Sequence, residues 1–85
     1  MDDNRATGVP GATGTWITAN GYIRLQLSGS GRFKETWGAG ECAYDGSYAV
    51  AGAILVFTDD SGLVTLGELE AGAIHLRGDH FLRVH

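Results

Sequence analysis

Eighty-five residues suffice to build one hydrophobic core and leave too little for a second. The formal net charge is −4, with six Lys plus Arg against ten Asp plus Glu, so no basic stripe is available for phosphates and neither nucleic acid nor an anionic membrane surface is an expected partner. No apolar run approaches the roughly 20 residues that span a bilayer, and the single cysteine, Cys42, excludes an internal disulfide.

Residues 1–12 mix Asp, Asn, Gly and Thr with the one proline, Pro10, and offer almost nothing to bury. They are expected to form a flexible arm ahead of a domain spanning 13–85. The acidic start Met1-Asp2-Asp3-Asn4-Arg5 leads into no apolar stretch, which does not read as a secretory signal, and a cytoplasmic location is expected.

The domain opens at Thr13-Gly14-Thr15-Trp16-Ile17. Asn20-Gly21 follows, the dipeptide that best suits a two-residue type I′ hairpin turn. Tyr22 to Leu27 alternates, with Ile23, Leu25 and Leu27 on one face and Tyr22, Arg24 and Gln26 on the other. After the turn Ser28-Gly29-Ser30-Gly31, the strand Arg32 to Trp37 puts Phe33, Glu35 and Trp37 on one face. The two rings mark that face as the inner one, so a carboxylate stands among aromatics inside.

Gly38 to Glu41 reads as a loop. Tyr44 to Val50 then places Tyr44, Gly46, Tyr48 and Val50 together. Ala53 to Thr58 is apolar on both faces; with Ile54 and Val56 inside, Leu55 and Phe57 face outward and invite a partner, which makes a homodimer one expectation. Asp59-Asp60-Ser61-Gly62 turns the chain, its Asp side chains accepting backbone N–H bonds. Leu63 to Leu69, Ala73 to Arg77 and His80 to Val84 complete the set. In the second of these His75 should face away from Ile74 and Leu76, alongside Arg77 on a solvated outer face.

Fourteen dispersed glycines separate about eight short strands by hairpin-length turns. Sequential hairpins with an apolar inner face form a meander, which closes into a barrel or exposes two edges. The expected fold is all-β: a single small up-and-down antiparallel β-barrel of about eight strands, with an interior just wide enough for side chains or one small ligand.

Gly14-Thr15-Trp16 on the first strand and Phe81-Leu82-Arg83-Val84 on the last resemble the calycin-type barrels, which include streptavidin-like and lipocalin-like proteins. The resemblance implies that Trp16 packs across a closed end with Arg83 lying over it. With Gly31-Arg32-Phe33, Glu35, Tyr44-Asp45-Gly46-Ser47-Tyr48, Asp59-Asp60-Ser61-Gly62 and Leu82-Arg83, the chain is similar to a family of very short bacterial proteins of unknown function with a streptavidin-like barrel. That resemblance implies a small-ligand cavity at the open end. Trp37 stands where a polar or basic residue is more usual, and the polar residues and tryptophans of a biotin site have no match beyond the first-strand motif.

Glu35 is the sharpest candidate for chemistry. Between Phe33 and Trp37, desolvation is expected to raise its pKa toward the general acid–base range; the structural alternative is a pair with Arg24, Arg77 or Arg83. Trp37, Tyr44 and Tyr48 can line an aromatic slot or simply fill a core. The leading functional expectation is binding of one small, partly aromatic or apolar molecule by Glu35, Trp37, Tyr44 and Tyr48, with Arg24 or Arg77 as charge partner. A cofactor-free enzyme of cyclase or isomerase type, with Glu35 as general acid or base, is the alternative, and a structural or protein-interaction module is a third. No metal or cofactor is expected: His75, His80 and His85 have no ligand spacing with Cys42, and Asp59-Asp60-Ser61-Gly62 lacks the downstream glutamate of a calcium loop.

Overall fold

Short runs with period-two alternation, interrupted by glycine turns, become eight strands in chain order: β1 (Gly14–Thr18), β2 (Ile23–Leu27), β3 (Arg32–Trp37), β4 (Glu41–Ala51), β5 (Ile54–Asp59), β6 (Val64–Glu70), β7 (Ala73–Leu76) and β8 (Asp79–Arg83). The computed structural model describes residues 11–84. Each strand pairs antiparallel with the next, and β8 returns to β1 through Trp16↔Arg83, Ile17↔Leu82 and Thr18↔Phe81, closing the barrel. Among the described residues, closure gives every strand a neighbour on both sides. The expected arm falls largely on residues 1–10, outside the described residues. Gly11 and Ala12, also assigned to it, belong with the barrel instead: Ala12 is buried in the core.

The inner face holds Trp16, Leu25, Leu27, Phe33, Tyr48, Leu55, Phe57, Ile74, Leu76 and Phe81, all buried. Phe57 anchors the middle, edge-on to Phe33 with centroids 5.1 Å apart and 6.5 Å from Tyr48. The expected phase of β5 is therefore reversed. Leu55 and Phe57 point inward, and Ile54 and Val56 lie on the outer side. The register decides this: Val50↔Leu55 and Tyr48↔Phe57 put those residues opposite inward-facing neighbours on β4. Leu55 and Phe57 therefore present no outward face to a partner. Gly46 serves the same junction, since a Cβ there would lie 2.1 Å from the Thr58 carbonyl oxygen.

One end of the barrel is capped. Trp16, fully buried, donates its indole N–H to the Ala12 carbonyl at 2.9 Å. The Arg83 guanidinium lies 4.5 Å from the Trp16 ring centre and donates to the carbonyls of Thr13 and Gly11. The placement of Trp16 and Arg83 is as the resemblance implied.

The turns depart from expectation at Asn20-Gly21. Gly21 N–H donates to the Thr18 carbonyl at 2.8 Å, and only Gly21 there has positive φ, at 76°. The Asn20 side chain accepts from the Thr18 hydroxyl at 2.8 Å and from Tyr22 N–H at 3.0 Å. This Asx-type bonding favours a longer loop over the tight turn. Left-handed φ at both central positions, the mark of type I′, occurs instead at Ala71-Gly72 (51° and 81°) and Arg77-Gly78 (51° and 81°). A left-handed Ala carries a strain of roughly 1–2 kcal/mol that Asn tolerates better. Ala71→Asn will therefore raise the urea midpoint, equivalent to about 0.5–1 kcal/mol of stability; an unchanged or lower midpoint would count against the turn geometry.

The β5–β6 turn behaves as read. Asp59 accepts from Ser61 N–H at 2.9 Å, Leu63 N–H at 3.0 Å and the Ser61 hydroxyl at 2.6 Å. Arg32 grips both oxygens of Asp60, at 3.2 and 3.0 Å. That hydrogen-bonded contact holds the Asp60 carboxyl below its usual range, as the Ser61 hydroxyl does for Asp59. A depressed folded-state pKa means the contact stabilises the turn above the ordinary Asp range and is lost as pH falls through the lowered value. A carboxyl NMR titration will show Asp60 titrating below a free Asp, and Arg32→Gln will move its midpoint upward; coincident midpoints would refute the assignment.

Candidate functional site

At the end opposite the Trp16 cap, β3 delivers Glu35 and Trp37 to the inner face and the β7–β8 turn delivers Arg77. Glu35 is 1% exposed, the most buried charged residue among those described. Its Oε2 accepts the Trp37 indole N–H at 2.7 Å, and its Oε1 accepts from Arg77 Nη2 in an ion pair. The Trp37 bond follows from strand geometry, because residues i and i+2 share a face. Glu35 is thus one half of a pair with one of the three arginines considered for it.

Arg77 reaches this position through its backbone. Continued alternation would have carried it out beside His75; left-handed φ of 51° instead turns it over the barrel mouth. There the guanidinium carbon stands 4.8 Å from the Tyr44 ring centre, within cation–π range. Tyr44 is the cross-strand partner of Glu35, and its ring meets Trp37 edge-on, 6.3 Å between centroids. Glu35, Trp37, Tyr44 and Arg77 thus form one contact network.

Two other predicted site residues lie elsewhere. Tyr48 is buried toward the capped half, its hydroxyl donating to the Ser28 carbonyl at 2.8 Å. It is a core residue. Arg24 is exposed on the outer face between the inward Ile23 and Leu25, apart from the network. Alternation alone placed Arg24 outside; grouping it with the pocket conflicted with its own strand pattern.

The sequence pattern also missed part of the wall. Thr36 pairs with Cys42 and Glu35 with Tyr44, so Ala43 is an extra residue, a β-bulge that re-aims the start of β4. Beside it, Trp37, Glu41, Cys42, Ala43 and Tyr44 line an open recess of about 320 Å³. A bulge at Ala43 leaves no signature in residue type. Arg77 does not line this recess but meets its Tyr44 wall through the ring: its side chain is 33% exposed, and among the described residues only Nη2 of its guanidinium is hydrogen-bonded to protein. The Tyr44 hydroxyl likewise has no protein hydrogen bond among them. No three His, Cys, Asp or Glu side chains among the described residues come together as a metal site.

The family described as Agrobacterium tumefaciens protein Atu4866 matches residues 11–83. The chain belongs to the Atu4866 family. The solution structure of the protein Atu4866 from Agrobacterium tumefaciens is similar to it, with a TM-score of 0.79 and 36% sequence identity over 93% of this chain and 100% of that one. No curated protein matches the chain. The Atu4866 match runs from Gly11 to Arg83 and so includes Trp16 and the arginine that lies over it. At this identity the family likeness covers the whole closed barrel, cap included.

Proposed function

We propose that this member of the Atu4866 family binds a small molecule at the barrel mouth, against Arg77, Tyr44 and Trp37. The observation that carries the reading is the state of Arg77. A buried carboxylate orients its guanidinium over the Tyr44 ring, and its remaining N–H donors make no hydrogen bond to the described residues. An arginine held in this way has less conformational entropy to lose when it receives a ligand oxygen. The fitting ligand is planar and partly aromatic, with a carbonyl or carboxylate for Arg77 and a ring face for Tyr44 and Trp37.

Glu35 already neutralises Arg77, so recognition rests on directed hydrogen bonds and ring contact more than on net charge. Both Glu35 oxygens accept a hydrogen bond and the residue is closed to solvent. We therefore assign Glu35 to positioning Arg77 and not to moving a substrate proton.

The test is a fluorescence titration with a panel of benzoate- and benzamide-type compounds, comparing the native chain with Tyr44→Leu. Binding that weakens about tenfold on loss of the ring and hydroxyl supports the site. Absence of binding across the panel, or equal affinity in the variant, would overturn it.

A further inference from the structure

The β7–β8 hairpin carries a second group of side chains that residue spacing did not bring together. His75 and His80 are separated by four residues, and the tight turn at Arg77-Gly78 makes them direct cross-strand partners. Glu68 on β6 is the next partner in the same row. Inward-facing Ile74, Leu76 and Phe81 fix the hairpin to the core, so this row lies on the outer face, with His80 exposed and His75 half-buried. The two imidazoles stand 4.4 Å apart between ring centres, tilted by 43°. Among the described residues, neither imidazole is hydrogen-bonded to protein.

We propose that His75 and His80 form a two-imidazole site for a borderline divalent transition-metal ion: Zn²⁺, Ni²⁺ or Cu²⁺. Neutral imidazole is a favoured ligand for these ions. Metal–nitrogen bonds of about 2.0–2.1 Å with cis ligands place ring centres on the order of 4.5–5 Å apart. The pair is close to that spacing already, and small side-chain rotations suffice to aim both rings at one ion. Glu68 adds a negative charge beside the site, and water completes the coordination. Two protein ligands make an open chelate, weaker than the closed four-ligand sites that hold structural zinc. The hairpin fold is independent of metal, because the inner faces of its strands supply its packing.

Calorimetric titration of the untagged chain with ZnCl₂, NiCl₂ and CuCl₂ tests this, with MgCl₂ as the hard-cation control. One ion should bind per chain, Cu²⁺ most tightly as the divalent series orders them, and Mg²⁺ should not bind. His75→Asn and His80→Asn should each weaken binding by about tenfold or more, and His85→Asn should leave it intact. In the native chain, imidazole nitrogen NMR signals of His75 and His80 should move together on adding Zn²⁺, a readout that does not depend on any variant folding. Silence with all three transition metals, binding that survives loss of either His75 or His80, or Zn²⁺ shifts confined to other residues would overturn the proposal.

Discussion

Arg77→Asn will destabilise the barrel more than Glu35→Gln, although the two residues share one ion pair. Asparagine tolerates the left-handed φ of 51° at this turn position, so the change removes the guanidinium without adding backbone strain. What remains is a carboxylate, 1% exposed, that has lost its cation. Removing one partner of a buried pair costs about 3–5 kcal/mol, and the lower end applies here because Arg77 itself is partly in water. Glu35→Gln is gentler. The amide oxygen can still accept from Trp37, and a 33% exposed arginine can turn to solvent, so a loss of about 1–2 kcal/mol is expected. The double variant should lose less than the sum, with a coupling of about 1–2 kcal/mol. Urea unfolding of the four proteins measures all three quantities. Equal single losses, or additive ones, would mean that the pair does not operate as described.

Trp16→Ala will have the largest effect at the capped end. The side chain is fully buried, and truncating such a residue costs about 3–5 kcal/mol. Its removal also frees the Ala12 carbonyl and the guanidinium of Arg83, whose other contacts hold Thr13 and Gly11. Trp16→Phe keeps most of the packing and loses only the indole hydrogen bond, for about 1 kcal/mol. Amide exchange should show the β1–β8 seam opening first in Trp16→Ala, since that seam is three residue pairs long and closes the barrel. A loss below about 2 kcal/mol, or exchange unchanged at Ile17 and Leu82, would contradict the cap's role.

These contrasts also mark where residue order speaks for structure. Ile23, Leu25 and Leu27 alternate against exposed Arg24 and Gln26, so the phase of β2 is written in the strand itself. Phe33 and Trp37 do the same for Glu35. Ala53 to Thr58 carries no such contrast; its phase comes from pairing with Tyr48 and Val50, which lie on another strand. A run apolar on both faces cannot report which face is inside. The barrel itself was legible because every connection is of hairpin length and the inner faces, Glu35 and Thr18 apart, are mostly apolar.

The site was legible in part for the same reason. Glu35, Trp37 and Tyr44 sit on strands whose phase could be read, and they meet as expected. Tyr48 shares the face of Tyr44 but lies a full step nearer the cap, and alternation gives the face of a residue without its depth. Arg77 is decided by backbone dihedrals in a turn, and Ala43 by an extra residue in a ladder. Neither depends on hydropathy, and both shape the mouth.

The ligand site proposed for this barrel is the mouth formed by Glu35, Trp37, Tyr44 and Arg77. Two-dimensional NMR of labelled protein, titrated with an aromatic carboxylate, tests it most directly, because the indole N–H of Trp37 and the guanidinium of Arg77 give their own signals. The expected result is saturable shifts of those two signals and of the Ala43 and Tyr44 amides, with Trp16 and Arg83 at the capped end unmoved. Saturable shifts centred on the cap or on the outer face, with Trp37 and Arg77 silent, would contradict it.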